Sequence, residues 1–289
     1  MRILKANIMN LVLATGLLLG LVGCTTQTVS ESNLQSNNSP TDARQDIATN
    51  ETTDDTGLET WTLDSTVGEI VAARPATGRI FELVGIDYCC GGGTQLKAAA
   101  AEKAIDANQL LNALLVVGAN PTSTTERNWQ KATLDELMEH IVTTHHAWLR
   151  RELPPLLATT QTVLRVHGDS HPELAEVAKT LTNINDAVLP HLDEEETKVF
   201  PALRKLAGGN PPDGIESQLV ALRSDHDELG EQLHRLRELT KGFTVPEDAC
   251  AKYREMLTGL ESLEKDMLQH VHLENNILLP RASALVDRK

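Results

Sequence analysis

The chain has 289 residues, with 41 acidic against 26 basic and a formal net charge of -15. A surface that negative repels phosphate backbones, which counts against nucleic acid as a partner. Aromatics are 3% of the residues and β-branched runs are few, a composition that builds helices rather than sheets.

Arg2 and Lys5 precede a mostly apolar stretch, residues 8–21, which is short for a membrane span. It runs into Leu21-Val22-Gly23-Cys24. A charged start, an apolar core and small residues before a Cys read as a lipoprotein signal over residues 1–23, with Cys24 lipidated. That predicts a membrane-anchored lipoprotein on the periplasmic or extracytoplasmic face. Residues 24–60 are rich in Thr, Ser, Asn, Gln and Asp and read as a flexible tether.

Residues 61–118 predict a small helical unit. Val67, Ile70 and Val71 recur at helical spacing, as do Ile80, Leu83 and Val84, and Gly85 is placed to close the second helix. Then follows Asp87-Tyr88-Cys89-Cys90-Gly91-Gly92-Gly93, a glycine-rich turn carrying two adjacent cysteines. Thr94 and Asp106 are candidate caps for the next two helices. Adjacent cysteines do not make a framework of separated disulfides. Cys250, alone in a helical stretch, reads as a buried packing residue.

Residues 132–285 predict a four-helix bundle. A capping residue precedes Glu by three positions at Thr133, Ser170, Asp213 and Thr244, and glycines stand at 168, 208–209 and 242 where helices should stop. Short connections make the topology up-down-up-down. Pro154, Pro190, Pro201 and Pro280 should each kink or end a helix.

An internal repeat carries the chemistry. His191, Glu195 and Pro201 read His-x3-Glu-x5-Pro, and so do His270, Glu274 and Pro280. Residues four apart share a helix face, so each pair aims one imidazole and one carboxylate together. His146 lies 45 residues before His191, and His226 lies 44 before His270. Two copies of one hairpin therefore supply four His and two Glu, a donor set suited to iron, manganese or zinc. The midpoint of the first His pair falls at the predicted turn, but that of the second, residue 248, falls inside the helix predicted to start at Thr244. His145 competes with His146, since both lie on apolar stripes. Glu194, Glu196 and His272 read as solvated. His140, His167, His171 and His234 have no matched partner. A single Glu-x-x-His, at Glu231 and His234, disfavours a ferritin-like site, which needs two.

Asp87-Tyr88-Cys89-Cys90-Gly91-Gly92, followed by His-x3-Glu-Asn-Asn at residues 270–276, resembles the iron-sulfur cluster repair di-iron proteins over about residues 61–285. The resemblance implies an all-α, hemerythrin-like up-down-up-down bundle preceded by a small helical domain. It implies two iron ions on His146, His191, Glu195, His226, His270 and Glu274, bridged by the two carboxylates, and it favours His146 over His145. It implies a role against nitric oxide or oxidative damage, through iron donation or nitric oxide reduction. The implied partners are iron, nitric oxide or dioxygen, and iron-sulfur proteins, and a homodimer is within its scope. Cys89 and Cys90 become redox or metal-handling thiols, with a following helix N-terminus able to favour thiolate. The lipoprotein signal departs from the family pattern. A different class of reading is a non-catalytic binder or sensor of oxygen, nitric oxide or iron.

Overall fold

A computed structural model describes residues 61–119 and 127–287. The predicted signal, Cys24 and the tether lie outside the described residues. No helix among the described residues is long and apolar enough to cross a membrane.

The cysteine-bearing unit contains α1 (Val67–Ala73), α2 (Gly78–Val84), α3 (Leu96–Glu102) and α4 (Ala107–Ala119). Thr66 and Glu69 close a reciprocal capping box at α1, in a Thr-x-x-Glu pattern. Gly85 ends α2 at φ 69°, the left-handed cap expected of it. Asp106 Oδ1 accepts from the Asn108 and Gln109 amides, so its capping role stands. Thr94 is not the cap of α3; Gln95 takes that position and bonds no amide with its side chain. Val67, Ile70, Phe81, Leu96, Leu110 and Leu114 form the core of this unit.

The first bundle helix stacks α5 (Leu134–His140), a π-helical turn (Ile141–His146) and α6 (Ala147–His167). The second stacks α7 (Glu173–Glu194), a π turn (Glu195–Val199) and α8 (Phe200–Ala207). The third is α9 (Ile215–Leu239). The fourth stacks α10 (Ala251–Leu273), a π turn (Glu274–Leu278) and α11 (Leu279–Val286).

Of the four expected boxes, only Thr133 with Glu136 forms. Pro172, which has no N–H, takes the N-cap position before α7, so Ser170 is displaced from that role. Gly214, at φ 76°, precedes α9 in place of Asp213. Thr244 is followed by Val245 and Pro246, and the residue before a proline avoids helical angles. The fourth helix therefore waits until Ala251. Residue 248 then lies in the connection between α9 and α10, which removes the mismatch in the second hairpin.

None of the four prolines ends its helical run. Pro154 and Pro190 lie inside α6 and α7. Pro201 and Pro280 lie in the first turn after a π turn. There the Phe200 amide reaches back to Glu195 O and the Leu279 amide to Glu274 O, five residues each. A residue without an N–H is tolerated best where the ladder is already out of step.

Two apolar cores stack along the bundle. One gathers Leu149, Leu192, Leu229 and Met267; the other gathers Ile141, Phe200, Leu222 and Leu278. The His and Glu positions lie between them on every helix. A buried Leu contributes about 1.5–3 kcal/mol, and the two cores together can carry an unsatisfied polar layer between them.

Candidate metal centre

Three of the four bundle helices change pitch where the chemistry lies. A π turn widens the helix by one residue and re-aims the side chains around it. The turn at Ile141–His146 buries two adjacent imidazoles, His145 and His146, at 4% and 0% exposure. An ordinary helix would place one of them about 100° away from the other's face, which is why amphipathicity left them tied.

Their neighbours separate them. His146 Nε2 lies 3.2 Å from His270 Nε2 and 3.3 Å from Glu195 Oε2. His145 instead donates from Nδ1 to Asp266 Oδ1 at 3.0 Å and stacks on the His270 ring at 5.4 Å.

On the other side of the carboxylates, His191 Nε2 and His226 Nε2 are 3.2 Å apart. Glu195 Oε1 lies 3.5 Å from His191 Nε2, and Glu274 Oε2 lies 3.2 Å from His226 Nε2. Glu274 Oε1 faces His270 Nε2 at 3.4 Å. Each carboxylate thus presents one oxygen to the His146–His270 pair and the other to the His191–His226 pair. Each pair draws one imidazole from each hairpin. All six predicted side chains come together.

The electrostatics call for a cation. Both carboxylates are fully buried, and none of their four oxygens accepts a hydrogen bond. Such groups cost several kcal/mol each without compensating charge. Burial opposes charge on His191, yet Glu195, Glu274 and Asp225 push it up to about 9. The same contest, burial against Glu195 and Glu274, ends with His146 and His226 raised. Burial prevails at His270, which is lowered. Glu274 is held well below the carboxylate range: burial opposes this, but His270 and His226 outweigh it. Two buried carboxylates and four imidazoles are a donor set that fits ferrous or ferric iron.

The outer contacts fix the rings. His146 Nδ1–H donates to Glu196 Oε1 at 2.8 Å, and Arg150 holds that carboxylate at 2.7 Å. His226 Nδ1–H donates to Asn275 Oδ1 at 2.8 Å. Such partners leave Nε2 as the metal-facing atom. Glu196 is therefore not simply solvated, and its position beside Glu195 was the available signal. Glu194 is exposed and pairs with Lys198, as expected. His272 is 4% exposed rather than solvated, and donates from Nδ1 to the Tyr88 carbonyl. Burial lowers it to about 4.

The cysteine turn packs on the bundle beside this centre. Cys90 Sγ lies 3.2 Å from His226 O, and Asn276 Nδ2 donates to Cys89 O at 2.9 Å. Asp87 accepts from the Cys89, Cys90 and Gly91 amides, tying the turn. The Cys89 thiol is held well above its ordinary value by Cys90, by burial and by Asp87. The expected thiolate-favouring effect of a helix end is overridden there. Cys250 is not the buried packing residue expected of it. It is exposed at the start of α10, with Sγ 3.2 Å from His167 Nε2, because the late start of that helix leaves it outside the core.

Residues 137–282 match the hemerythrin HHE cation binding domain, and residues 63–117 match a domain of unknown function (DUF542). The chain is 33% identical over 222 residues to the iron-sulfur cluster repair protein YtfE of Dickeya chrysanthemi, covering 76% of this chain and 96% of that protein. It is 32% identical over 221 residues to the YtfE of Enterobacter sp. (strain 638) and 33% to that of Escherichia coli O81, covering 97% of each.

Proposed function

The chain belongs to the family of hemerythrin-domain iron-sulfur cluster repair proteins, and from that premise we propose that it carries two iron ions between its hairpins and serves cluster repair after nitric oxide or oxidative damage. His146 and His270 would hold one ion and His191 and His226 the other, with Glu195 and Glu274 bridging. The observation that carries this reading is the pair of buried carboxylates, each facing both imidazole pairs with no hydrogen bond of its own.

Bound iron supplies a redox-active Lewis acid that can be donated or can take up a diatomic ligand. The protein's part is to hold the donors. Glu196 and Asn275 set the imidazole tautomers of His146 and His226, and the two apolar cores flank the layer that holds them. Cys89 and Cys90, packed against the helix that bears His226, would handle metal or electrons. Cys24 would be lipidated, which puts the protein at the extracytoplasmic face of a membrane.

Elemental analysis tests the centre. The purified chain should contain two irons, and a His191→Ala/His270→Ala variant, which loses one donor from each pair, should retain less than about a tenth of that. Retention of both irons by the variant overturns the ligand set. Anaerobic turnover of nitric oxide by the ferrous protein supports reduction; a reversible adduct without turnover supports a binder. A Cys24→Ser chain should leave the membrane fraction, and its persistence there argues against the lipid.

A further inference from the structure

The two metal positions are not equally reachable. Among the described residues, side-chain contacts cross three of the four seams between bundle helices at the level of the centre. Between the first and second helices, Arg150 bonds Glu196 at 2.7 Å and Asp193 at 2.6 Å, over His146. Between the fourth and first, His145 bonds Asp266. Over the third and fourth, the cysteine turn is pinned by Asn276, with Cys90 against His226.

The seam between the second and third helices holds a groove of about 410 Å³ instead. Its lining includes His191, Glu194, Asp225 and Glu228, with the buried Ile184, Val188 and Leu229 among them. Among the six proposed ligands, His191 alone reaches solvent appreciably, with its side chain 14% exposed; the others are at 0 or 1%. Its ring spans the seam. Nδ1 lies 3.5 Å from Asp225 Oδ2 in the groove, and Nε2 lies 3.5 Å from the fully buried, unpartnered Glu195 Oε1 behind it.

From this asymmetry we propose that the groove is a loading and release port for a divalent cation, and that it makes the His191–His226 position the exchangeable one. The inference rests on the two-iron reading above. Carboxylates in a concave mouth concentrate cations and speed their arrival. Asp225 and Glu228 gather a hydrated ferrous ion, and the His191 ring passes it to the Glu195 carboxylate. The His146–His270 position has no such route and keeps its ion. One iron is then donated while the other holds the bundle layer together.

The test uses the iron-loaded full-length chain, reduced and anaerobic, mixed with an excess of a water-soluble ferrous chelator. Iron should leave in two phases of equal amplitude, one ion each, with rates at least about tenfold apart. Ala187→Trp, at an exposed position on the groove wall, should slow the fast phase and leave the slow one unchanged. Asp225→Asn/Glu228→Gln should slow ferrous uptake by the apoprotein about tenfold and flatten its dependence on ionic strength. Both irons leaving in one phase, or a fast phase indifferent to both variants, overturns the port alone. A starting content below two irons overturns the site, and the port with it.

Discussion

At the scale of single residues, Asn276 joins the two parts of the molecule. Its amide donates to the Tyr88 and Cys89 carbonyls at 3.2 and 2.9 Å. Gly68 and Gly92 make room for it: a Cβ would stand 2.6 Å from Asn276 Oδ1 at Gly68 and 2.2 Å at Gly92. Asn276→Ala should cost about 1–3 kcal/mol, because the Cys89 carbonyl loses its donor and the Tyr88 carbonyl keeps only His272. Gly92→Ala should loosen the same contact by forcing the amide aside. Hydrogen exchange should show faster opening of residues 85–95 in both variants, with protection of the α10 core unchanged; uniform loss across the bundle counts against the clamp.

His171 illustrates a different control. It bonds Asp248 at 3.0 Å, which raises its pKa and lowers that of Asp248. The pair contributes between those limits. The contribution fades as pH rises through the raised His value and as it falls through the lowered Asp value. A proton titration followed by NMR should find His171 above 6.5, and Asp248→Asn should return it toward that value.

At the scale of elements, the π turns are the device that aims the donors. The turns at Glu195–Val199 and Glu274–Leu278 each begin on a carboxylate and end just before the Phe-Pro or Leu-Pro step. The extra residue lets Glu195 face the bundle axis while Phe200 and Leu203 remain in the core. Inserting an Ala after Thr197 should add a residue that the π turn does not absorb and turn everything on one side of the insertion by about 100° relative to the other. Helicity by circular dichroism should then persist while iron content falls by at least about half, since one bridging donor set is misaligned. An insertion variant with full iron content shows that the residue register through the π turn does not aim Glu195.

At the scale of the whole molecule, the bundle divides labour by layer. Apolar cores above and below supply stability, and the layer between them spends some of it on buried charge. Metal should therefore stabilise the fold strongly. Stripping iron with a chelator at neutral pH should lower the melting temperature, by an amount that grows with the free iron concentration used for the loaded reference. An unchanged melting temperature counts against a metal in this layer.

Much of this was legible in the chain itself. The repeated His-x3-Glu with an upstream His at nearly equal distance determined five of the six side chains that converge, because helical periodicity and hairpin length are local properties. The bundle class and the small helical unit followed from the same periodicity. What the sequence left open depended on neighbours remote in the chain. His145 and His146 lie on adjacent positions of a pitch-shifted turn, and only Asp266 and Glu195, brought in from other helices, part them. Cys250 looked buried until the start of its helix moved past Pro246. Glu196 and His272 looked solvated until Arg150 and the Tyr88 carbonyl met them. The pairing of one imidazole from each hairpin, and the groove that reaches His191, were decided by how four helices pack. Periodicity names the face of a helix, and packing chooses which neighbour that face meets.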